Sequence, residues 1–297
     1  MQNEQHKSFR VSGFTFIRNA ILYDYPVVEA ISSILPLCDE FIVAVGNSDD
    51  STYDLIRSIP SDKIRIINTL WDDSLREGGR VLALEADKAY RELSGDSTWA
   101  FYIQGDEVVH EKYLPEIRRA LEQYAEVPEV EGLLFHYLHF YGSFDFVGDS
   151  RKWYRREVRI VRNLPGIVSY RDAQGFRLNN RKLNVKRINA SIYHYGWVKP
   201  PAVQQRKQQN FNRYWHEDTW IREQIPMVEA FDYSVIDSLR RFNGSHPQVM
   251  AGRIKKMNWA FSFDPTRKKF GVINRLLQGF EHLSGWRIGE YRNYRII

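Results

Sequence analysis

The sequence predicts an α/β fold, with a mostly parallel central sheet carrying helices on both faces, and three observations carry that expectation. Short apolar runs alternate with helix-like runs through roughly the first 110 residues, the order that βα units produce. Polar clusters close three of those runs, at the strand ends where open sheets bind ligands. The chain has 297 residues and is 43% hydrophobic, enough for one large domain with an appendage.

In order, strand-like residues 14–20 (FTFIRNA) precede a helix at 25–35, an apolar strand at 40–46 (EFIVAVG) and a turn at 47–51. A short helix at 52–59, a strand at 63–70, a long helix at 78–93 and a strand at 99–103 (WAFYI) complete this half. A helix at 113–127 follows, and residues 132–197 change texture to aromatic segments separated by basic loops, which predicts antiparallel strands. Beyond Pro200-Pro201 comes a charged, aromatic helix. The expected organisation is a catalytic-type domain over 1–200, with a nucleotide-binding half at 8–110 and an acceptor half at 111–200, followed by a helical, basic extension at 201–297.

Net charge is +5, but residues 251–297 hold ten Lys or Arg against three acids, so the basicity belongs to the tail. There Phe270, Ile273, Leu276, Leu277, Phe280 and Leu283 recur at helical spacing beside Lys268, Lys269 and Arg275. That pattern suits either a helix packed on the protein's own core or one lying on an anionic membrane. The polar opening segment and the lack of a long apolar run predict a soluble or peripheral, cytoplasmic protein. One cysteine, Cys38, excludes an internal disulfide and reads as a buried thiol. The slightly acidic body and the lack of an RNA-binding motif argue against nucleic acid as a partner.

The polar clusters carry the chemistry. Asp106 and Glu107 close the 99–103 run; adjacent carboxylates there suit Mn2+ or Mg2+, or cap the helix expected from about Glu111. His194, within Tyr-His-Tyr-Gly-Trp, is a candidate nitrogen ligand from across the cleft, and such a donor set leans toward Mn2+. In the 46–52 cluster, Asp50 or Ser51 can cap a helix, and the same hydroxyls and carboxylates can bond a base or ribose. Arg80, behind the Gly78-Gly79 pair, can approach a phosphate. Neither G-x-G-x-x-G nor a Walker-type loop is present, so dinucleotide and P-loop chemistry are excluded.

Taken together and in order, FIRNA, FIVAVGNSDDST, GGRVLALEADKAYRELSGDSTWAFYIQGDEVV and YHYGW resemble a family 2 glycosyltransferase of the bacterial branch with D-A-D-E and H-x-G-type motifs, over about residues 10–200. The resemblance implies a GT-A fold, a nucleotide-sugar donor, a divalent metal, and inverting transfer to a carbohydrate or glycolipid acceptor, such as a precursor of cell-envelope polysaccharide. It lays the D-x-D motif on Gln104-Gly105-Asp106, so Asp106 keeps the metal carboxylate, Glu107 assists, and the Gln104 amide faces the ribose. Arg18 and Asn19 match the R-N after the first strand. Ser48, Asp50 and Thr52 match D-x-G-S-x-D-x-T, whose first acid is replaced by Val45 or Gly46. The catalytic base is expected just before the last strands, at Asp172 in SYRDAQGF, with Glu157 in reserve. A sugar nucleotidyltransferase would instead show a glycine-rich, lysine-containing loop near the start, and a non-catalytic sugar- or nucleotide-binding relative would keep the pocket and lose the base and metal.

Overall fold

The structure is a computed structural model that describes residues 9–225 and 227–297; the polar opening segment read as lacking a signal sequence lies largely outside the described residues. The first half alternates β1 (Val11–Ile17), α1 (Val27–Ile34), β2 (Glu40–Gly46), α2 (Thr52–Arg57), β3 (Ile64–Thr69), α3 (Arg80–Arg91) and β4 (Trp99–Tyr102). Its strands lie parallel in the order β3-β2-β1-β4. Successive residues of β2 serve opposite faces, as a pleated strand requires. Phe41, Val43 and Val45 join the core under α1, whereas Ile42 and Ala44 join the core under α3. Both faces are buried, which is why the run EFIVAVG shows no polar alternation.

The second half comprises β5 (Glu107–Val109), α4 (Leu114–Ala125), β6 (Gly132–Tyr141), β7 (Phe146–Gly148), β8 (Arg156–Arg162), β9 (Ile167–Tyr170), β10 (Gly175–Leu178) and β11 (Arg181–Trp197). Here the sheet becomes mixed: β8 runs antiparallel to both β4 and β6, and β11 runs parallel to β6. The α/β fold expected from the sequence, with helices on both faces of a sheet whose first half is parallel, is thus what the chain adopts. The helix expected from about Glu111 forms, as a 3-10 turn over Glu111–Tyr113 that leads into α4. Asp106 and Glu107 do not cap it, because β5 intervenes and pairs antiparallel with the end of β11, His194 opposite Glu107, while His110 takes the cap position.

After Pro200 come α5 (Pro201–Phe211), α6 (Asp218–Gln224), β12 (Leu239–Arg241), α7 (Ala251–Lys255), α8 (Val272–Ser284) and β13 (Tyr294–Ile296). β12 pairs with β7, and β13 adds to β11 through Leu183, Asn184 and Val185, so this segment returns twice to the sheet. Cys38 is buried, its Sγ donating to the Ile34 carbonyl at 3.3 Å, as expected. Among the described residues no helix is long and apolar enough to cross a membrane.

Candidate active site

The tips of β1 and β4 and the end of β11 surround a cleft of about 230 Å³, closed on one side by α5. Arg18, Asn19, Gln104, Asp106, Asp172 and His194 all line it. Six of the ten residues expected from the sequence therefore converge.

Adjacent carboxylates at a strand end have opposite fates: Asp106 sits within the tight turn between β4 and β5, closed by Glu107 N donating to the Gln104 carbonyl at 3.0 Å, whereas Glu107 is the first residue of β5. Asp106 faces the cleft. Glu107 faces inward, fully buried, and both its oxygens are consumed: Arg159 donates to them at 2.7 and 2.8 Å, Tyr137 Oη at 2.8 Å and Gln104 N at 3.1 Å. Glu107 is therefore an internal counter-ion of Arg159, and the expectation that it ligates the metal is corrected.

Asp106 has a cationic setting. Lys207 of α5 places Nζ 3.2 Å from Asp106 Oδ2, and His194 Nε2 stands 3.7 Å from Oδ1. Burial alone would raise the carboxyl pKa, but Lys207, His194 and Lys199 together hold it well below the usual range. Lys199 is fully buried, donating from Nζ to the Asp24 carbonyl at 2.7 Å, and burial with the nearby Lys207 charge pushes its pKa far down. Gly196 permits the convergence: a Cβ there would meet Asp106 Oδ2 and His194 Cε1, each at 2.7 Å. The β11–β6 register also slips between His194 and Trp197, a bulge that turns the His194 strand end toward the cleft.

A hydrogen-bond chain fixes the His194 tautomer. His139 Nε2 lies 2.9 Å from the Tyr154 carbonyl, which can only accept, so Nε2 carries the proton. Burial and the neighbouring His194 hold the His139 pKa well down, leaving its Nδ1 bare to accept from His194 Nδ1 at 3.3 Å. In the neutral form, which burial favours, His194 then turns its Nε2 lone pair toward Asp106 Oδ1, 3.7 Å away. Two electron-rich atoms so disposed fit a shared cation, and the second imidazole behind His194 is the outer support that metal-bound histidines use. Asp106 and His194 thus fit a divalent metal, although among the described residues no group of three His, Cys, Asp or Glu side chains forms a fuller ligand set.

Asp172 sits between two residues of positive φ, Arg171 at 57° and Ala173 at 61°, so its loop is held in a sparsely populated conformation. Gln104 Nε2 donates to the Ala173 carbonyl at 3.4 Å, and burial raises the Asp172 pKa. Gly79, at φ 68°, passes so close that a Cβ would lie 2.5 Å from Asp172 Cβ. Gly79 therefore admits the Asp172 loop; the Gly78-Gly79 pair does not deliver Arg80, which is exposed and outside the cleft.

Ser48 and Asp50 also stay outside. Ser48 Oγ accepts from Asn19 N at 3.0 Å, and Asp50 accepts from Leu22 N at 2.7 Å and Thr52 N at 3.0 Å. Asn19, at φ 56°, exchanges two side-chain hydrogen bonds with Asp49. The 46–52 cluster is thus a brace that fixes the β1 tip. The reserve base, Glu157, is 4% exposed and lies outside the cleft lining; burial raises its carboxyl to about 8. Lys207, Asn210 and Phe211 of α5, together with Trp71 and Tyr214, also line the cleft and were not foreseen. The i, i+3, i+4 spacing of the α5 residues was the available signal.

No protein-family profile and no curated protein matches the chain. Solved structures to which it is similar include residues 1–349 of Staphylococcus aureus TarS, also solved with UDP, at TM-score 0.38 and 11% identity over 68% of this chain and 64% of that one. Another is 4-diphosphocytidyl-2C-methyl-D-erythritol synthase from Anaerococcus prevotii, at TM-score 0.37 and 14% identity over 64% of this chain and 92% of that one. A third is glucosyl-3-phosphoglycerate synthase from Mycobacterium tuberculosis with Mn2+, UDP and glucosyl-3-phosphoglycerate, at TM-score 0.30 and 20% identity over 46% of each chain.

Proposed function

We propose that this chain is an inverting glycosyltransferase that moves a sugar from a nucleotide-diphosphate donor to a hydroxyl of a glycan, glycolipid or polysaccharide precursor. The observation that carries the reading is the convergence of Asp106, His194 and Lys207 at the carboxyl ends of a parallel sheet. Asp106 and His194 would hold Mn2+ or Mg2+, which supplies positive charge to a departing diphosphate.

The remaining residues divide the work. Lys207, now on Asp106, is positioned to bind a diphosphate oxygen as negative charge grows there. Gln104 offers its amide to the ribose side, Asn19 holds the β1 tip in place, and Arg18 lies over Trp71 at the cleft rim, its centre 5.7 Å from the ring. Asp172 is the base: its raised pKa suits it to take the acceptor proton as the acceptor oxygen bonds to the anomeric carbon and the carbon–diphosphate bond breaks. The catalytic unit would span the sheet through residue 200 together with α5.

The test combines donor binding with turnover. Thermal shifts with nucleoside diphosphates should grow on adding Mn2+, and Asp106→Ala should abolish both that increment and donor hydrolysis. Asp172→Asn should keep the increment and lose at least about a hundredfold in transfer rate. An Asp172→Asn enzyme of normal rate would remove Asp172 as base, and an Asp106→Ala enzyme of normal rate would remove the metal site.

A further inference from the structure

The sequence left open whether the apolar stripe of α8 packs on the protein or on something else, and the structure decides against the protein. α8 is anchored by its polar side. Glu281, 8% exposed, pairs with Arg151 at 2.8 Å, Arg155 at 3.1 Å and Arg287 at 2.8 Å, while Gln278 Nε2 donates to the Asp149 carbonyl at 2.8 Å. At about 100° per residue, fixing positions 278 and 281 inward turns positions 273, 276, 280 and 283 outward. Ile273, Leu276 and Leu283 are indeed 73%, 70% and 92% exposed, and Phe280, Trp286 and Ile288 extend the apolar surface.

Charge selects the occupant. Residues 265–297 carry seven Lys and Arg against Glu281 and Glu290, and both acids are already consumed by arginines. Arg267, Lys269 and Arg275 stand exposed around the stripe. An apolar face ringed by cations, with an exposed Trp at its end, complements an anionic lipid surface. A second copy docking the same face would bring like charges together. We infer that α8, with Trp286 and Ile288, is a membrane-docking face that lies on anionic bilayers, independently of the reaction proposed above.

The full chain should co-sediment with vesicles of phosphatidylcholine plus phosphatidylglycerol at low salt, release at high salt, and ignore pure phosphatidylcholine. Leu276→Glu/Leu283→Glu should reduce retention at least about tenfold, with an unchanged melting temperature because both side chains are exposed. Lys269→Glu/Arg275→Glu should weaken retention while keeping the apolar face intact. Failure of the wild-type chain to bind, or equal retention of the Leu276→Glu/Leu283→Glu variant, would overturn the inference. So would a wild-type dimer that this variant converts to monomer without any vesicle binding, which would identify a second copy as the occupant.

Discussion

Replacing Glu107 by Gln isolates the difference between two adjacent carboxylates. The substitution keeps shape but removes the charge facing Arg159, a guanidinium only 1% exposed that also lies 5.3 and 5.4 Å from the Tyr102 and Tyr137 rings. Leaving one buried partner uncompensated costs about 3–5 kcal/mol. For a chain of 297 residues the unfolding entropy is roughly 0.6 kcal/mol/K, so the melting temperature should fall by about 5–8 °C. Calorimetry or a fluorescence melt at fixed pH reads this directly. Adding Arg159→Met should recover much of the loss, since it removes the uncompensated buried charge. The reasoning fails if Glu107→Gln melts within about 1 °C of wild type yet loses the Mn2+-dependent shift, because Glu107 would then be a metal ligand.

Two further expectations follow from the same geometry. Burial raises the Glu157 pKa to about 8, and Oε2 has no partner; a group shifted this way supports the fold fully below its unfolded pKa, near 4.5, and loses that support as pH rises through about 8. Glu157→Gln should accordingly gain stability relative to wild type across that window, by no more than about 3–5 kcal/mol, and a pH-independent difference would contradict the shift. Gly196→Ala inserts a methyl between Asp106 and His194, so the Mn2+-dependent stabilisation by nucleoside diphosphate should disappear, while overpacking costs about 1–3 kcal/mol; normal Mn2+ response would show that the two side chains need not converge.

Much of the architecture could be read from residue order, because a parallel sheet buried on both faces writes itself as unbroken apolar runs separated by amphipathic helices. β2 and β4 lie where EFIVAVG and WAFYI put them. The three-residue β5 was invisible, being shorter than any periodic signal and dependent on its pairing with β11 about 85 residues later. The same limit applies to the cleft. Strand-tip clusters located Arg18, Asn19, Gln104 and Asp106, but spacing does not reveal that Ser48 and Asp50 spend their hydrogen bonds on the chain after β1. Lys207 comes from a helix 101 residues beyond Asp106, and only folding brings its charge there.

The passage from β4 to β5 also sets a strict count. The turn over residues 104–107 is closed by its own backbone bond and delivers Glu107 to Arg159, so the loss or gain of one residue there would break that closure and strand the guanidinium. This turn can therefore drift in composition far more readily than in length, whereas exposed loops such as the one around Ser61 hold no buried ion pair in place.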